Sequence, residues 1–490
     1  MKLLWADLHN HNAIGYGQGS PERSYAIARG AMLDACCFTP HGLWHDLPAG
    51  DARIAEFHRE GFERVRREWP RVRRLAESWN APGEFAALLG FEWHSSRHGD
   101  WCAILPGGEG EPCAAASLAE LQEFARKSGA LLIPHHGAYR AGWRGTEWEA
   151  LDPELSPVVE AFSEHGCSME AESGAAMLPH SMGGSERSQT VMERLRRGLV
   201  AGVIGSTDNH WGHPASYGEG LAGIWAADAT REAVLEALRR RHTYAATGDR
   251  IALRVEAGGS GTMGDVLPAA ARRELVCRVQ ALGELDYVRV FRNGRPVHDV
   301  LPPPPRADDP AWTVRLDFGW GAMTGGEVTG WRIRVRVDGA LVAGIHPCFA
   351  GGAGSVEKLN RVAAASDGAV ELEAYTSRRN SRPTSGLALR LEGGAAARVE
   401  VEAEADWDGR PCGCRVGARL GELLARDEWA AVSETFSAPR LRLGRAHGCS
   451  ETDVDLHWTD PEPGGDDWYL VKVLQANGQA AWSSPVWFRG

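Results

Sequence analysis

In the first half of the chain, short apolar runs alternate with longer stretches of helical period. Leu3 to Leu8 is the first run. Ser20-Pro21-Glu22 then opens a helix, with serine as N-cap, proline in the first turn and an acid beside the positive end of the dipole. Cys36 to Thr39 reads as the next strand. A charged helical stretch follows from Asp51 to Trp79, with Pro70 expected to kink it. Phe85 to Phe91, Trp101 to Leu105, Ala130 to Ile133, Val158 to Phe162 and Val200 to Gly205 read as strands. Ser117 to Ser128 reads as a helix closed by Gly129, Ser185 to Arg197 as one closed by Gly198, and Thr230 to Arg241 as the last. Strand then helix, repeated over roughly 245 residues, predicts an α/β fold with a parallel sheet, and a closed barrel better than a small open sheet.

Beyond Arg250 the period shifts toward two. Ile251 to Val255, Glu274 to Val279, Tyr287 to Phe291, Trp312 to Leu316, Trp331 to Val337, Ala369 to Ala374, Ala397 to Ala403, Asp453 to Trp458 and Trp468 to Leu474 read as strands. Arg292-Asn293-Gly294 and Ala476-Asn477-Gly478 are turn signals. The expected organisation is a barrel over 1–250 and a β-rich accessory region over 251–490, built as one or two sandwich-like units.

The chain has 490 residues, 43% of them hydrophobic, which is enough for a large core. Its net charge of -12 argues against nucleic acid as the main partner, since a phosphate-tracking surface needs clustered Lys and Arg. No stretch approaches the roughly 20 apolar residues of a membrane span, and no signal peptide precedes His9. The ten scattered Cys read as reduced thiols, so a cytoplasmic protein is expected. Cys412 and Cys414 lack the usual C-x2-C spacing of a zinc site. Histidine changes the picture. Fourteen of 18 lie within residues 1–242, and only His298, His346, His447 and His457 lie beyond.

Those histidines stand with carboxylates at the ends of the expected strands. His9 and His11 follow the first strand, His41 the second, and Glu92 and His94 the third, with His98 and Asp100 just after. His135 and His136, then Glu164 and His165, then Asp208 and His210 follow later strands. A parallel barrel opens all strand C-termini on one face, where its active site sits. A lone His at a strand end is usually a hydrogen-bonded structural residue. An H-x-H pair is better, because i and i+2 point to one side. Repetition at successive strand ends has no structural rationale, since buried charge and imidazole are costly without partners. Imidazole mixed with carboxylate suits Zn, Mn or Fe. The ligands are too many for one four-coordinate ion, so two or three divalent metal ions sharing a carboxylate are expected. Arg97, Arg140 and Arg144 are the candidate cations for binding a small anionic substrate.

At these residues the chain resembles the PHP superfamily of metal-dependent hydrolases, named for polymerase and histidinol phosphatase. Asp7-Leu8-His9-Asn10-His11 resembles its first motif and Thr39-Pro40-His41-Gly42 its T-D-H motif. Gly90-Phe91-Glu92 resembles its G-x-E strand end, Pro134-His135-His136 its His-Pro position, and Ser206-Thr207-Asp208-Asn209-His210 its S-D-x-H motif. Asp208 to Pro214, Arg241 to Ile251, Trp468 to Val473 and Ala481 to Trp487 resemble one branch, domain of unknown function 3604. The resemblance implies a PHP-type distorted (β/α)7 TIM-like barrel binding up to three ions. His9, His11, Glu92 and Asp208 would hold one ion. Glu92 would bridge to a second, also bound by His135, and His41 and His210 would hold a third. A further ligand after the Glu92 strand is implied, for which the chain offers Asp100 and His98. Two departures weaken the third site: Ala13 to Gln18 carries no strong ligand, and Pro40 replaces the Asp of T-D-H.

The expected activity is hydrolysis of a phosphomonoester or phosphodiester by a metal-activated hydroxide. His136 or His165 would stabilise the added charge, and Asp208 would be able to move protons. The same motifs fit an amide, lactone or sulfate ester. A different class is a metal-stabilised binding protein whose Trp residues, 19 in all, stack on carbohydrate or a partner. A catalytic ion keeps an open position and a structural one does not, which separates the two.

Overall fold

The structure, a computed structural model, describes residues 1–179, 184–320, 328–380, 382–407 and 409–490. It is a mixed α/β protein with many strands and few helices. The chain opens with β1 (Lys2–Asp7), α1 (Pro21–Gly30), β2 (Ala35–Phe38), β3 (His41–Trp44) and α2 (Ala52–Trp79). Then come β4 (Ala86–His94), β5 (Trp101–Leu105), α3 (Leu118–Ser128), β6 (Leu131–Pro134), β7 (Val158–Ser163) and β8 (Gly166–Cys167). α4 (Val191–Arg196), β9 (Gly202–Gly205), β10 (Leu221–Ala226), α5 (Arg231–Arg239) and β11 (Thr243–Ala246) complete this half.

Local chemistry sets the helix ends. The side chain of Ser20 accepts from the Arg23 N–H, that of Ser117 from Glu120, and that of Thr230 from Ala233. Gly129 closes α3 at φ 75°, a left-handed cap that suits glycine. α2 stays helical through Pro70. Proline removes one backbone bond, while Phe62, Val65, Trp69, Val72 and Ala76 keep one face buried. α4 is shorter than its sequence pattern, because a 3-10 turn at Arg187–Gln189 takes up part of that stretch.

The sheet is not parallel throughout, which corrects the expectation of one helix per strand. β1, β2 and β4 are parallel, and β7 pairs with β9 in parallel. β5 runs antiparallel to β4 and β6, and β10 antiparallel to β1 and β11. Only residues 95–100 join β4 to β5, too short a link for the crossover that parallel strands need. β10 and β11 escape the sequence pattern because they are Ala- and Gly-rich. A Cβ at Gly223 would lie 2.1 Å from the Tyr244 ring of the neighbouring strand. β9 lies beside β11, where the Thr243 hydroxyl donates to Val203 O at 3.0 Å.

All the runs expected beyond Arg250 are strands, in a nine-stranded and a four-stranded sheet and in additions to the first half's own sheet. Two are far longer than their patterns, Thr329–Cys348 and Thr384–Trp407, which pair antiparallel. Asn293 and Gly294 both have positive φ and turn the hairpin between Leu285–Arg292 and Arg295–Val300. The strand Ala480–Ser483 pairs with β11, with Ser483 opposite Tyr244. One apolar cluster runs from Trp5 and Tyr25 through Ile251 to Trp312, Val335 and Leu389, so the two halves share a core. Among the described residues no helix is long and apolar enough to cross a membrane.

His213 sits buried in the seam between the halves. Asn360 Oδ1 accepts from the Tyr375 N–H at 2.7 Å, which turns its amide N–H toward His213 Nε2 at 2.8 Å. That nitrogen is then an acceptor, so the ring is neutral. Burial, with Arg23 nearby, pushes the pKa down to about 3. The unfolded ring takes its proton near pH 6.5 (approximately) and the folded one does not, so stability is complete above that pH and falls below it. Denaturation from about pH 7 to about pH 5 is expected to lose about 1 kcal/mol per pH unit from this group. His213→Gln should flatten that slope; an unchanged slope removes His213 as its source.

Candidate metal centre

Two tripeptides joined by an isolated parallel bridge form the floor of the site. His9-Asn10-His11 runs parallel to Asp208-Asn209-His210: the Asp208 N–H donates to His9 O at 2.7 Å and the His11 N–H to Asn209 O at 2.9 Å. Residues two apart on extended chain point to one side, as His9 and His11 do, and Asp208 and His210 meet the His11 ring on that same face. Asn10 and Asn209 bond elsewhere, to Cys37 O and to Glu219. Asp7 locks the pair, accepting from the Thr207 N–H at 3.1 Å, the Thr207 hydroxyl at 2.6 Å and the Ala215 N–H at 3.0 Å. Burial raises its pKa to about 6 against those bonds. Asp208 and His136 hold φ of 55° and 35°, strain of the kind that gathers at functional sites.

β4 delivers the centre of the cluster. It alternates, so Phe91 and Trp93 enter an apolar core while Glu92 and His94 face the tripeptides. Glu92 Oε2 lies 3.4 Å from His11 Nε2, 3.5 Å from His94 Nε2, 3.6 Å from His41 Nε2 and 3.8 Å from His9 Nε2. Its Oε1 is 2.6 Å from His135 Nε2. Asp208 Oδ1 lies 3.0 Å from His11 Nε2 and 3.3 Å from His9 Nε2, and Oδ2 lies 3.2 Å from His165 Nε2. Nε2 of His9 stands 3.2 Å from that of His11, and Nε2 of His41 stands 3.2 Å from that of His210.

These distances and this burial suit ligands better than they suit hydrogen bonds. Nitrogens bound at about 2.0 Å to one tetrahedral ion stand about 3.3 Å apart. His94 Nε2, beside Glu92, has no hydrogen-bond partner among the described residues. His9, His11 and Asp208 bring three ligand atoms within 4.8 Å of one another; so do His9, Glu92 and His135, then His41, Glu92 and His94, then His11, His41 and His210, and Asp100, His135 and His136. The donor set fits divalent ions held by nitrogen and oxygen. Burial and the neighbouring His210 push the His11 pKa down to about 3, leaving a lone pair to donate. Burial works against Glu92, yet His94 and His135 hold its carboxyl well below the usual range. His210, half-buried, is raised to about 9 by Glu164 and Asp208 against the cost of desolvation.

Around this cluster the expected residues separate. Asp100 is fully engaged: Oδ1 accepts from the Ser95 N–H, and Oδ2 takes Arg144 Nε at 2.8 Å and His94 Nδ1 at 3.1 Å, with His136 Nε2 at 3.3 Å. It orients His94 from behind. Arg144 pairs with Asp100, and its guanidinium lies over the Trp44 ring at 4.9 Å. His165 is hydrogen-bonded to the Tyr139 hydroxyl at 2.9 Å. The structure does not bring in His98, whose ring pairs with Glu147 and lies beside Trp93 on the other face of β4. Nor does it bring in Arg97 and Arg140, which are exposed; Arg140 pairs with Glu186 at 3.5 Å.

Several neighbours carry no assigned role in the sequence, His94 among them although it stands with Glu92 at a strand end. His94 sits at i+2 from Glu92, the same signal as H-x-H. Glu160, which meets His9 Nδ1 at 3.0 Å, is a lone acid inside an apolar strand, and a buried charge needs a partner. Tyr16 lies in the stretch without a ligand, and its ring stacks on His41 with centroids 3.4 Å apart. No sequence signal pointed to it.

A family model described as a protein of unknown function, DUF3604, matches residues 214–274. An uncharacterised protein of Chlamydia pneumoniae is 28% identical over 259 residues, covering 48% of this chain and 41% of that protein. Another, of Chlamydia trachomatis, is 26% identical over 254 residues, covering 47% and 40%. The chain spans less than half the length of these curated relatives. Among solved structures, a two-domain protein of Bacteroides vulgatus containing a predicted PHP-like metal-dependent phosphoesterase is similar at 12% identity and a TM-score of 0.34, over 85% of this chain and 95% of that one.

Proposed function

We propose that this chain is a PHP-type metal-dependent hydrolase that cleaves a phosphomonoester or phosphodiester. The observation that carries the reading is Glu92, a buried carboxylate with imidazole nitrogens gathered around both oxygens. A carboxylate so placed is suited to bridge ions. His9, His11 and Asp208 would hold one, His135 a second, and His41 and His210 a third, with His94 added as a ligand oriented by Asp100. Divalent Mn, Zn or Fe held there would supply Lewis-acid charge and acidify a water. His136 and His165 would steady charge on a small anionic substrate, and Arg144, turned inward by Asp100, would supply the cation. Asp208 Oδ2 stands close enough to His165 to exchange a proton. β1, β2, β4, β6, β7 and β9 to β11 are read as a distorted barrel around this centre, with residues 251–490 as its accessory region.

Catalysis is favoured over a purely structural ion by the cavity above the cluster. It measures about 790 Å³ and is lined by His41, His94, His165, Asp208 and His210 among others, whereas structural sites are closed. Purified protein is expected to carry metal by elemental analysis and to hydrolyse p-nitrophenyl phosphate or bis(p-nitrophenyl) phosphate with added Mn. His9→Ala/His11→Ala should lose metal and at least about 100-fold in rate. Turnover by the variant at the parent rate overturns the reading. Metal without phosphoester cleavage moves the substrate to an amide, lactone or sulfate ester.

A further inference from the structure

The cavity over the cluster has a polar floor and an apolar wall. Trp44, Leu47, Pro48, Ile54, Ala55 and Trp143 form the wall. Ile54 is 60% exposed and Trp143 52%, so the apolar wall continues to the rim of the cavity. The wall is held in place. Asp46, just before Leu47, accepts from the N–H groups of Ser96 and Arg97 at 2.9 Å each and from the Ser95 hydroxyl at 3.0 Å. The Trp44 indole N–H donates to Ser96 Oγ at 3.1 Å.

Charge on the lining is already committed. Asp46 has those donors, Asp51 caps α2 and pairs with Arg53, Glu164 meets His210, and Arg144 is paired with Asp100. Arg144 is the one Arg or Lys on the lining among the described residues. A substrate carrying a second phosphate would press that charge against apolar surface with no further Arg or Lys to receive it and with His210 already held by Glu164, which is costly. An aromatic or alkyl group would instead bury area against Trp44, Trp143 and Ile54.

We infer that this site takes phosphoesters whose leaving group is an uncharged apolar alcohol, aromatic or alkyl, and not one bearing a second anionic group; the inference rests on the phosphoesterase reading above. In the reaction a water oxygen bonds to phosphorus and the bond from phosphorus to the alcohol oxygen breaks. The alcohol leaves with the proton that the water gives up. Trp143 and Ile54 set the preference from the rim, apart from the metal ligands.

The test compares benzyl phosphate with glycerol phosphate, each as monoester and as methyl diester, because their leaving alcohols differ little in acidity. A nucleoside 3′,5′-bisphosphate, a phosphoester whose leaving alcohol carries a second phosphate, supplies the doubly anionic case. The Mn-loaded protein is expected to favour the benzyl ester by at least about tenfold in kcat/KM and to leave the nucleotide untouched. Ile54→Ala/Trp143→Ala, both at exposed positions, should raise KM for the benzyl ester by about tenfold and change glycerol phosphate by less than about twofold. Tryptophan fluorescence gives a readout without turnover: benzylphosphonate should bind more tightly than methylphosphonate, and the variant should lose the difference. Equal or better cleavage of glycerol phosphate or the nucleotide overturns the preference and leaves metal-dependent hydrolysis standing. If no ester is cleaved and neither phosphonate binds, the phosphoesterase reading fails and the preference fails with it.

Discussion

Glu92→Gln is expected to empty the cluster of metal and lower kcat/KM by about a thousandfold or more, the scale of losing a charged group at a reacting centre. The change conserves volume and one acceptor oxygen. It removes the negative charge that His9, His11, His41 and His94 share on one oxygen and His135 meets on the other. An amide also places an N–H₂ where one of those lone pairs must point, so at least one side of the bridge is lost. Elemental analysis and a melting curve with and without Mn read the outcome. The parent should melt at higher temperature when Mn is added, because a ligand that binds only the folded state stabilises it. The variant should not respond. A variant that keeps its metal content and its Mn-dependent shift would show that Glu92 is a bystander.

Arg23→Ala is expected to cost about 3 kcal/mol of stability, from carbonyls left without donors. Arg23 projects from α1 into the seam between the halves. Its Nη1 donates to Trp211 O at 3.3 Å and Gly212 O at 3.1 Å, on the loop just past His210. Nη2 donates to Ser355 O at 2.8 Å and Nε to Lys358 O at 2.5 Å, in the second half of the chain. Burial lowers its pKa to about 10, which leaves it charged at neutral pH. One guanidinium therefore ties the loop after His210 to the second half of the chain. Urea denaturation measures the loss, and Arg23→Lys should recover only part of it, since lysine lacks the planar fork. Mn affinity should fall by about tenfold in the alanine variant, as when a partner that orients a ligand is removed. A cost below about 1 kcal/mol would mean that solvent replaces the clamp.

Much of the site was legible because its signals are local. Two residues apart on extended chain means one side, which reads out His9 with His11 directly, whereas Asp208 and His210 share a side on a backbone that turns at Asp208, φ 55°. The same rule places Glu92 with His94. The rule stops where the strand stops. His98 and Asp100 lie in one short turn, and only the path of residues 95–100 sends Asp100 to the cluster and His98 to Glu147. Arg97, Arg140 and Arg144 were equivalent in sequence. The turn at residues 140–145, with Arg144 at φ 69°, carries just one of them over Trp44.

By itself the sequence determined the local elements: the caps at Ser20, Ser117 and Thr230, the left-handed stop at Gly129, the β-rich second half and the same-side pairs His9 with His11 and Glu92 with His94. Capping bonds and side-chain alternation are settled within a few residues, so a short window contains their physics. Only the tertiary structure decided which pairs meet. His11 and Asp208 stand 3.0 Å apart across 197 positions of chain. The antiparallel settings of β5 and β10, the docking of Ala480–Ser483 on β11 and the clamp at Arg23 were decided in the same way. Strand partners and buried polar contacts are chosen by packing against distant segments, and that free energy belongs to no local stretch of sequence.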